Sequence, residues 1–503
     1  MNDHSTHRDN GHSFDRRLFL AGTGALALAG TPTAAVAQQG GGGGGGKPAA
    51  TDKRLRQILA EFVVGFDLRQ APPQVIERAR VALIDTVGVA VAGSHEEVAH
   101  IVAEMVKAEG SAPQCTVIGT SLRASPQLAA LANGVANHAM DYDFTFLNGQ
   151  SVAAVIPALL AVAETTKATP ADVLGAFIVG CEVAARINRS SLRMGNDGGW
   201  HITGVVGVIA TTAACCKLMK LPVEQVAQAI GMAVSLSAGI AVNYGTMTKP
   251  LHCGNAARNG VMAAMLASKG FTSHAAAFEG NNGYFASFGR ALPTDFAPFK
   301  DLGQRWDLTA IGFQTKYYPC GGRGHTAIEA ALMLREKIGS SRLGEIANIH
   351  CLVSASSAKR INTNYPGDVE AAKFSAAYVI AYSLVHGIPK IKAFTPEALK
   401  DARTIAMAKL VTAGADPQLG DAFGESPSIL KITLKGGETF EQRRDYATGS
   451  AKIPLTPAQL EEKFMDCATQ TVSADAAKKL FAFVNTFEKQ ETFGEFFSLV
   501  RKT

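Results

Sequence analysis

The chain has 503 residues, 47% hydrophobic but only 7% aromatic, and a formal charge of +5. That length allows a large core and two domains, and the alanine-rich balance favours closely packed helices over a large aromatic sheet. No Lys/Arg block of the kind nucleic-acid binding uses is present, which excludes that class and leaves open a basic site for a small anion.

The first stretch with a readable pattern is "DRRLFLAGTGALALAGTPTAAVAQQ". Arg16-Arg17 precede an apolar run from Leu18 to about Gly30, too short to span a bilayer, and Ala35-Val36-Ala37 forms a small-residue cleavage site. Residues 1–37 therefore read as a twin-arginine-type signal peptide, with a basic N-terminal arm as the alternative. The expected partner is the twin-arginine export machinery and the expected location the periplasm, without stable membrane association afterwards. Residues 38–52, with Gly40–Gly46, read as a flexible linker.

Residues 53–315 read as helix after helix. "PPQVIERARVALIDTVGVAVAG" opens on prolines and stops at Gly93, with Val75, Ala79, Leu83, Val87 and Val91 forming one buried stripe. Ser125 and Pro126 start a helix that runs toward "NHAMDYDFT". A helix beginning near Gly254 ends before Gly270, which suits a C-cap. From about Lys316 the texture changes. Thr326 and Glu329 suggest a capping box, "IANIHCLVS" alternates as a strand does, and "SILKITLKGGETFEQRRDY" predicts a hairpin turning at Gly436-Gly437. Helix resumes at Thr456-Pro457. The expected fold is mainly α: a large all-helical domain, a smaller α+β lid domain over 316–450 and a C-terminal helical return over 451–503. The eight cysteines include no C-x-x-C pair, so buried thiols are expected rather than a disulfide framework or a metal cluster.

Four constellations carry chemistry. In "HAMDYDFT", helical spacing would put His138, Asp141 and Thr145 on one face, reading as a converging polar site or as a solvated helix end. No metal-ligand spacing such as H-E-x-x-H accompanies them, so no metal is expected. "GGWHITG" sets His201 before an apolar helix, as a structural histidine or an anion-facing one. "MTKPLHCGNAARNG" places Lys249 and His252 just upstream of a helix start with Arg258 one turn in, which suits a carboxylate or is ordinary surface charge. "KYYPCGGRGHTAIEAA" surrounds a glycine turn with Lys316, Arg323 and His325, and lacks the G-K-[ST] of a phosphate loop. Together they suggest a cleft for a carboxylated substrate and proton transfer.

These motifs, with "LIDTVGVAVAG", "GCEVAARI", "FEGNNGYFASFG" and "ITLKGGETFEQRRDYATGS", resemble the MmgE/PrpD family, which includes 2-methylcitrate dehydratase and cis-aconitate decarboxylase. They follow family order across nearly the whole chain after the linker. The resemblance implies a homodimer and chemistry with no cofactor and no metal. It implies that Asp141 and Thr145 line the pocket, and that His201, Lys249 and His325 hold carboxylates and move protons. In the mechanism expected from these groups, lid closure brings His325 over the pocket. Tyr365 matches a lid tyrosine, and His252 belongs to a family motif. The chain departs from the family at Phe144, Phe146 and Gln150 or Ser151, which stand where an acid and histidines are expected.

The expected activity is a cofactor-independent lyase, a dehydratase, hydratase or decarboxylase acting on a small carboxylic acid. His201, Lys249, His325 and Asp141 carry its acid–base chemistry, and Thr145, Gln150, His252, Arg323 and Tyr365 its binding. Phe144, Phe146 and Gln150, together with export, suggest a substrate less charged than citrate. An isomerase or racemase moving a proton α to a carboxylate would use the same groups. An exported, non-catalytic carboxylate-binding protein is the alternative from another class.

Overall fold

The structure, a computed structural model, describes residues 54–147, 149–190, 194, 198–289, 295–359, 361–420 and 426–501. The expected export signal and glycine linker lie outside the described residues. The fold is mainly α, with few strands in small sheets. No helix among the described residues is long and apolar enough to cross a membrane.

One large core gathers helices Leu55–Gly65, Pro73–Gly93, Pro126–Ala139, Val155–Ala163, Pro170–Ser190, Gly207–Leu218 and Thr248–Ser268. Helices Pro457–Ala468 and Ala474–Asn485 return to that core through Leu460, Phe464, Leu480 and Val484. Small residues set how close these helices approach. A Cβ on Gly134 would stand 2.9 Å from the Cα of Gly254, and one on Gly254 would stand 2.6 Å from the Leu131 carbonyl oxygen. Helices Pro126–Ala139 and Thr248–Ser268 can therefore cross backbone to backbone. His138 lies one turn beyond Gly134, so the crossing also sets its distance from Lys249.

A second core, between helices and a sheet, contains Ala330, Leu334, Ile349, Cys351, Ile380, Leu384, Leu430 and Ile432. The four-stranded sheet runs in the order Val411–Ala415, Ile346–Val353, Ser428–Leu434, Thr439–Arg444. The first two strands are parallel and the other neighbours antiparallel. The hairpin turns at Gly436-Gly437, where Gly437 takes φ +87°. Thr456 and Gln459 cap each other's backbone at the start of Pro457–Ala468.

Three local expectations need correction. The helix carrying Lys249 and His252 begins at Thr248, not near Gly254, because Pro250 sits in its first turn, where a missing N–H costs nothing. Thr326 and Glu329 form no capping box. Thr326 donates to the Ser426 carbonyl, and Glu329 accepts from Arg444 Nε at 2.9 Å and from the Thr448 amide at 2.6 Å. Nor do Asp141 and Thr145 share a helical face with His138, because the helix ends at Ala139. Asp141 then takes the left-handed conformation at φ +50°, which aspartate tolerates better than most residues. All eight cysteines are buried free thiols.

Candidate active site

Past Ala139 the chain enters a buried loop whose backbone must find partners inside the protein. Lysines from distant segments supply them. Lys316 Nζ donates to the Asp141 carbonyl at 2.7 Å, and Lys463 Nζ donates to the carbonyls of Tyr142 at 2.8 Å and Lys316 at 2.7 Å. Asp85, on helix Pro73–Gly93, accepts from the Phe144 amide at 3.0 Å and pairs with Lys463 at 2.5 Å. At the helix end, Lys373 donates to the Ala139 carbonyl at 2.9 Å and pairs with Glu370 at 2.7 Å.

This bracing fixes the Asp141 carboxylate between two ammonium groups. Lys249 Nζ lies 2.7 Å from one oxygen and Lys316 Nζ 2.9 Å from the other, and Gln150 Nε2 donates to the first at 3.2 Å. Burial alone would raise this carboxyl, but the two lysines outweigh it and hold it far below the usual range. Lys249 also reaches His138 Nε2 at 2.9 Å, while His138 Nδ1 faces both oxygens of Asp143 at 3.0 Å. His138, Asp141 and Asp143 bring ligand-type atoms within 4.8 Å of one another. The positive charge among them is nonetheless supplied by Lys249 and Lys316, which a cation on Asp141 would have to displace.

A cavity of about 930 Å³ opens beside this cluster, bounded by both cores. Among the described residues its wall carries Lys249, Lys316, Arg323, Lys359 and Lys373, and one carboxylate, that of Asp141. Thr145 lines it from a short strand paired with Gln314, and Gln150, His201 and Tyr244 complete the near side. Arg323 enters from the α+β part, donating to Ser356 and Ser357 hydroxyls at 2.8 and 3.0 Å.

The remaining expected site residues stand behind the wall. His252 contacts His201, Nδ1 to Nδ1 at 2.9 Å, so one ring donates and the other accepts. His201 also meets the Tyr244 ring edge to face, with centroids 5.0 Å apart. His325 is fully enclosed. Its Nε2 donates to the Cys320 carbonyl at 3.2 Å and its Nδ1 accepts from Gln314 Nε2 at 3.4 Å, so it supports two wall residues without facing the cavity itself. The Tyr365 hydroxyl donates to the Leu399 carbonyl at 2.7 Å, inside the α+β packing.

Phe144 and Phe146 change the reading of this site most. Both are buried in the large core, Phe144 against Phe177 and Phe313 with centroids 6.4 and 5.2 Å apart, and neither lines the cavity. They therefore give no ground for a less charged substrate. Of the departures from the family pattern, Gln150 alone lies on the wall. Sequence reasoning passed over Lys359, Lys373 and Tyr244. Tyr244 had a faint signal, lying just ahead of the Lys249 motif; a lone lysine in "AAKFS" had none.

Burial keeps the imidazoles neutral. Together with Lys249 and His138 it pushes His201 well down, with His138 and Lys249 it brings His252 to about 4, and with Lys316 it brings His325 to about 3. Each ring is depressed from 6.5, so its contribution is fully present above pH 6.5 and is lost as pH falls toward the folded value, where only the unfolded chain takes up the proton. For His325 this amounts to roughly 3–5 kcal/mol. Urea midpoints measured between pH 7 and about pH 4 should fall for the wild type and fall less for His325→Gln. Equal slopes would show that His325 is not held neutral.

Comparison with known proteins follows the same division. Residues 57–296 match the MmgE/PrpD N-terminal domain and residues 318–489 the MmgE/PrpD C-terminal domain. The cis-aconitate decarboxylase of Homo sapiens is 28% identical over 449 residues, 87% of this chain and 93% of the relative. The Mus musculus enzyme of the same name is 28% identical, covering 87% and 92%. That of Aspergillus terreus is 25% identical over 436 residues, covering 81% and 88%. With both family domains matched in order on either side of the cavity, this chain belongs to the MmgE/PrpD family.

Proposed function

We propose that the chain is a lyase of the dehydratase or decarboxylase type, acting on a small di- or tricarboxylic acid held in the cavity beside Asp141. The observation that carries this reading is the cationic wall: among the described residues Lys249, Lys316, Arg323, Lys359 and Lys373 line it and Asp141 is the carboxylate that does, with Glu370 pairing Lys373 from behind. Charge-assisted bonds to carboxylates contribute about 1.5–3 kcal/mol each. Cations drawn from both cores suit a ligand with more than one anionic end. Family membership and the relatives' shared activity support the lyase class.

Both reactions build negative charge beside a carboxylate, and positive groups fixed in advance stabilise it without reorganising. In decarboxylation the bond to the departing carboxylate breaks and its electron pair passes into the remaining unsaturated acid. The carbon then takes a proton from the Lys249 ammonium, which is restored from water. In dehydration His201, held neutral, accepts the proton α to a carboxylate, and the C–O bond breaks with its electron pair on oxygen. The Lys249 ammonium protonates that oxygen so that it leaves as water; the two groups then exchange the proton with solvent and are restored. His252 orients His201, and Gln150 and Lys316 hold Asp141 against Lys249.

The test is a mass-resolved screen of the purified protein against cis-aconitate, 2-methylcitrate, citrate and shorter dicarboxylates. Loss of carbon dioxide or of water from at least one polycarboxylate is expected. A product of unchanged mass would replace the lyase by an isomerase, and binding without turnover would reduce the chain to a carboxylate-binding protein.

A further inference from the structure

We propose that His138 and Asp143 are positioning residues: they lock one imidazole tautomer whose bare nitrogen aims the Lys249 ammonium at the cavity. The proposal rests on the reading that Lys249 handles the substrate carboxylate.

The tautomer follows from the partners on either side of the ring. His138 Nδ1 lies 3.0 Å from each oxygen of Asp143, and a carboxylate only accepts, so Nδ1 carries the proton. On the other side Nε2 lies 2.9 Å from Lys249 Nζ, and an ammonium only donates, so Nε2 carries none. Both neighbours demand the same state. The ring is enclosed and stacks on His201 at 5.6 Å with 24° between planes, which fixes its orientation as well. A protonated ring would set an N–H against the ammonium. Burial, reinforced by the Lys249 charge, keeps it neutral even though Asp143 pulls the other way.

The consequence falls on Lys249. An ammonium has three N–H donors in tetrahedral arrangement. One goes to His138 Nε2 and one to Asp141 Oδ1 at 2.7 Å. The third is left for the cavity, whose wall Lys249 forms. Asp143 and His138 stand off that wall, so they act through Lys249. Where a buried carboxylate orients a catalytic imidazole, its amide counterpart keeps the geometry but imposes the wrong tautomer, at a cost of up to about 10⁴-fold in rate.

Asp143→Asn makes that exchange here. The amide NH₂ donates to Nδ1, the ring proton moves to Nε2, and an N–H then opposes the ammonium. Expected results are a kcat lower by about 100-fold or more, a KM changed far less, and a thermal midpoint that falls while the melt still reports a folded protein. Asp143→Glu, which keeps the carboxylate, recovers part of kcat. Long-range ¹⁵N–¹H NMR of the full-length protein, with the His138 signal assigned through His138→Gln, should report Nδ1–H in the wild type and Nε2–H in Asp143→Asn. An Nε2–H signal in the wild type overturns the proposal, whatever the variants do. So does an Asp143→Asn protein whose tautomer flips while kcat stays within about threefold. The NMR measurement needs no substrate, so a failed lyase reading and a failed tautomer lock are told apart.

Discussion

Lys249→Met is expected to lower kcat by about 10²–10³-fold on the acid the wild type turns over, the range seen when one fixed donor to developing negative charge is removed. Methionine keeps much of the apolar stem and removes only the charged tip, which isolates the electrostatic role from packing. Asp141 would keep Lys316 at 2.9 Å and Gln150 at 3.2 Å, so no carboxylate is left buried without a partner. His138 Nε2 would lose its donor, which sets the stability cost at about 1–3 kcal/mol rather than at unfolding. Steady-state kinetics beside a thermal melt separate the two effects. Wild-type kcat in a folded Lys249→Met protein would remove Lys249 from the chemistry and sink the mechanism with it. Lys249→Arg is also expected to be poor, because a planar guanidinium cannot divide its donors among His138, Asp141 and the cavity as a tetrahedral ammonium does.

What the sequence made legible about this site was local, and what it hid was long-range. Proline at the first turn and glycine at the close gave helix Pro73–Gly93 its ends, and Thr456 with Pro457 gave Pro457–Ala468 its start, because those signals are complete within a few residues. The hairpin at Gly436-Gly437 was legible for the same reason. Lys249, Asp141 and Gln150 could be named as site residues from their motifs, but not the way they meet. Helical spacing placed Asp141 on a face it does not occupy; one residue at φ +50° and a lysine from beyond Phe313 decide its position instead. Phe144 and Phe146 mark the same limit. Read as sequence, they replace polar neighbours of the pocket. In the fold the strand pairing Thr145–Phe146 with Phe313–Gln314 turns Thr145 to the cavity and Phe146 to the core, as alternation along a strand requires. Lys463, 147 positions from Lys316, braces the loop from the C-terminal return and carries no motif at all.

Arg186→Met is expected to give the largest loss of stability, about 3–5 kcal/mol, with little change in the chemistry of molecules that remain folded. Arg186 is fully buried on helix Pro170–Ser190. Its guanidinium meets Asp307 directly, lies 3.3 Å from Glu182 and 3.5 Å from Asp301, and donates to the Arg305 carbonyl. Glu182 in turn accepts the backbone amides of Asp307 at 3.0 Å and Leu308 at 3.1 Å. The cluster thus pins the turn that leads through Phe313–Gln314 to Lys316 on the cavity wall. Removing the guanidinium leaves Asp307 with Arg189 at 2.9 Å, but takes from Glu182 the arginine that offsets its burial. Burial already raises the Glu182 carboxyl to about 7. For an acid raised in the folded state, the unfolded chain ionises first as pH climbs from 4.5 through that value, so stability falls across the window. Without Arg186 the folded value rises further, and the deficit against wild type should widen from pH 5 toward pH 8. Urea midpoints at the two pH values check this. A deficit of the same size at both would show that the loss comes from packing around the guanidinium and not from an uncompensated Glu182.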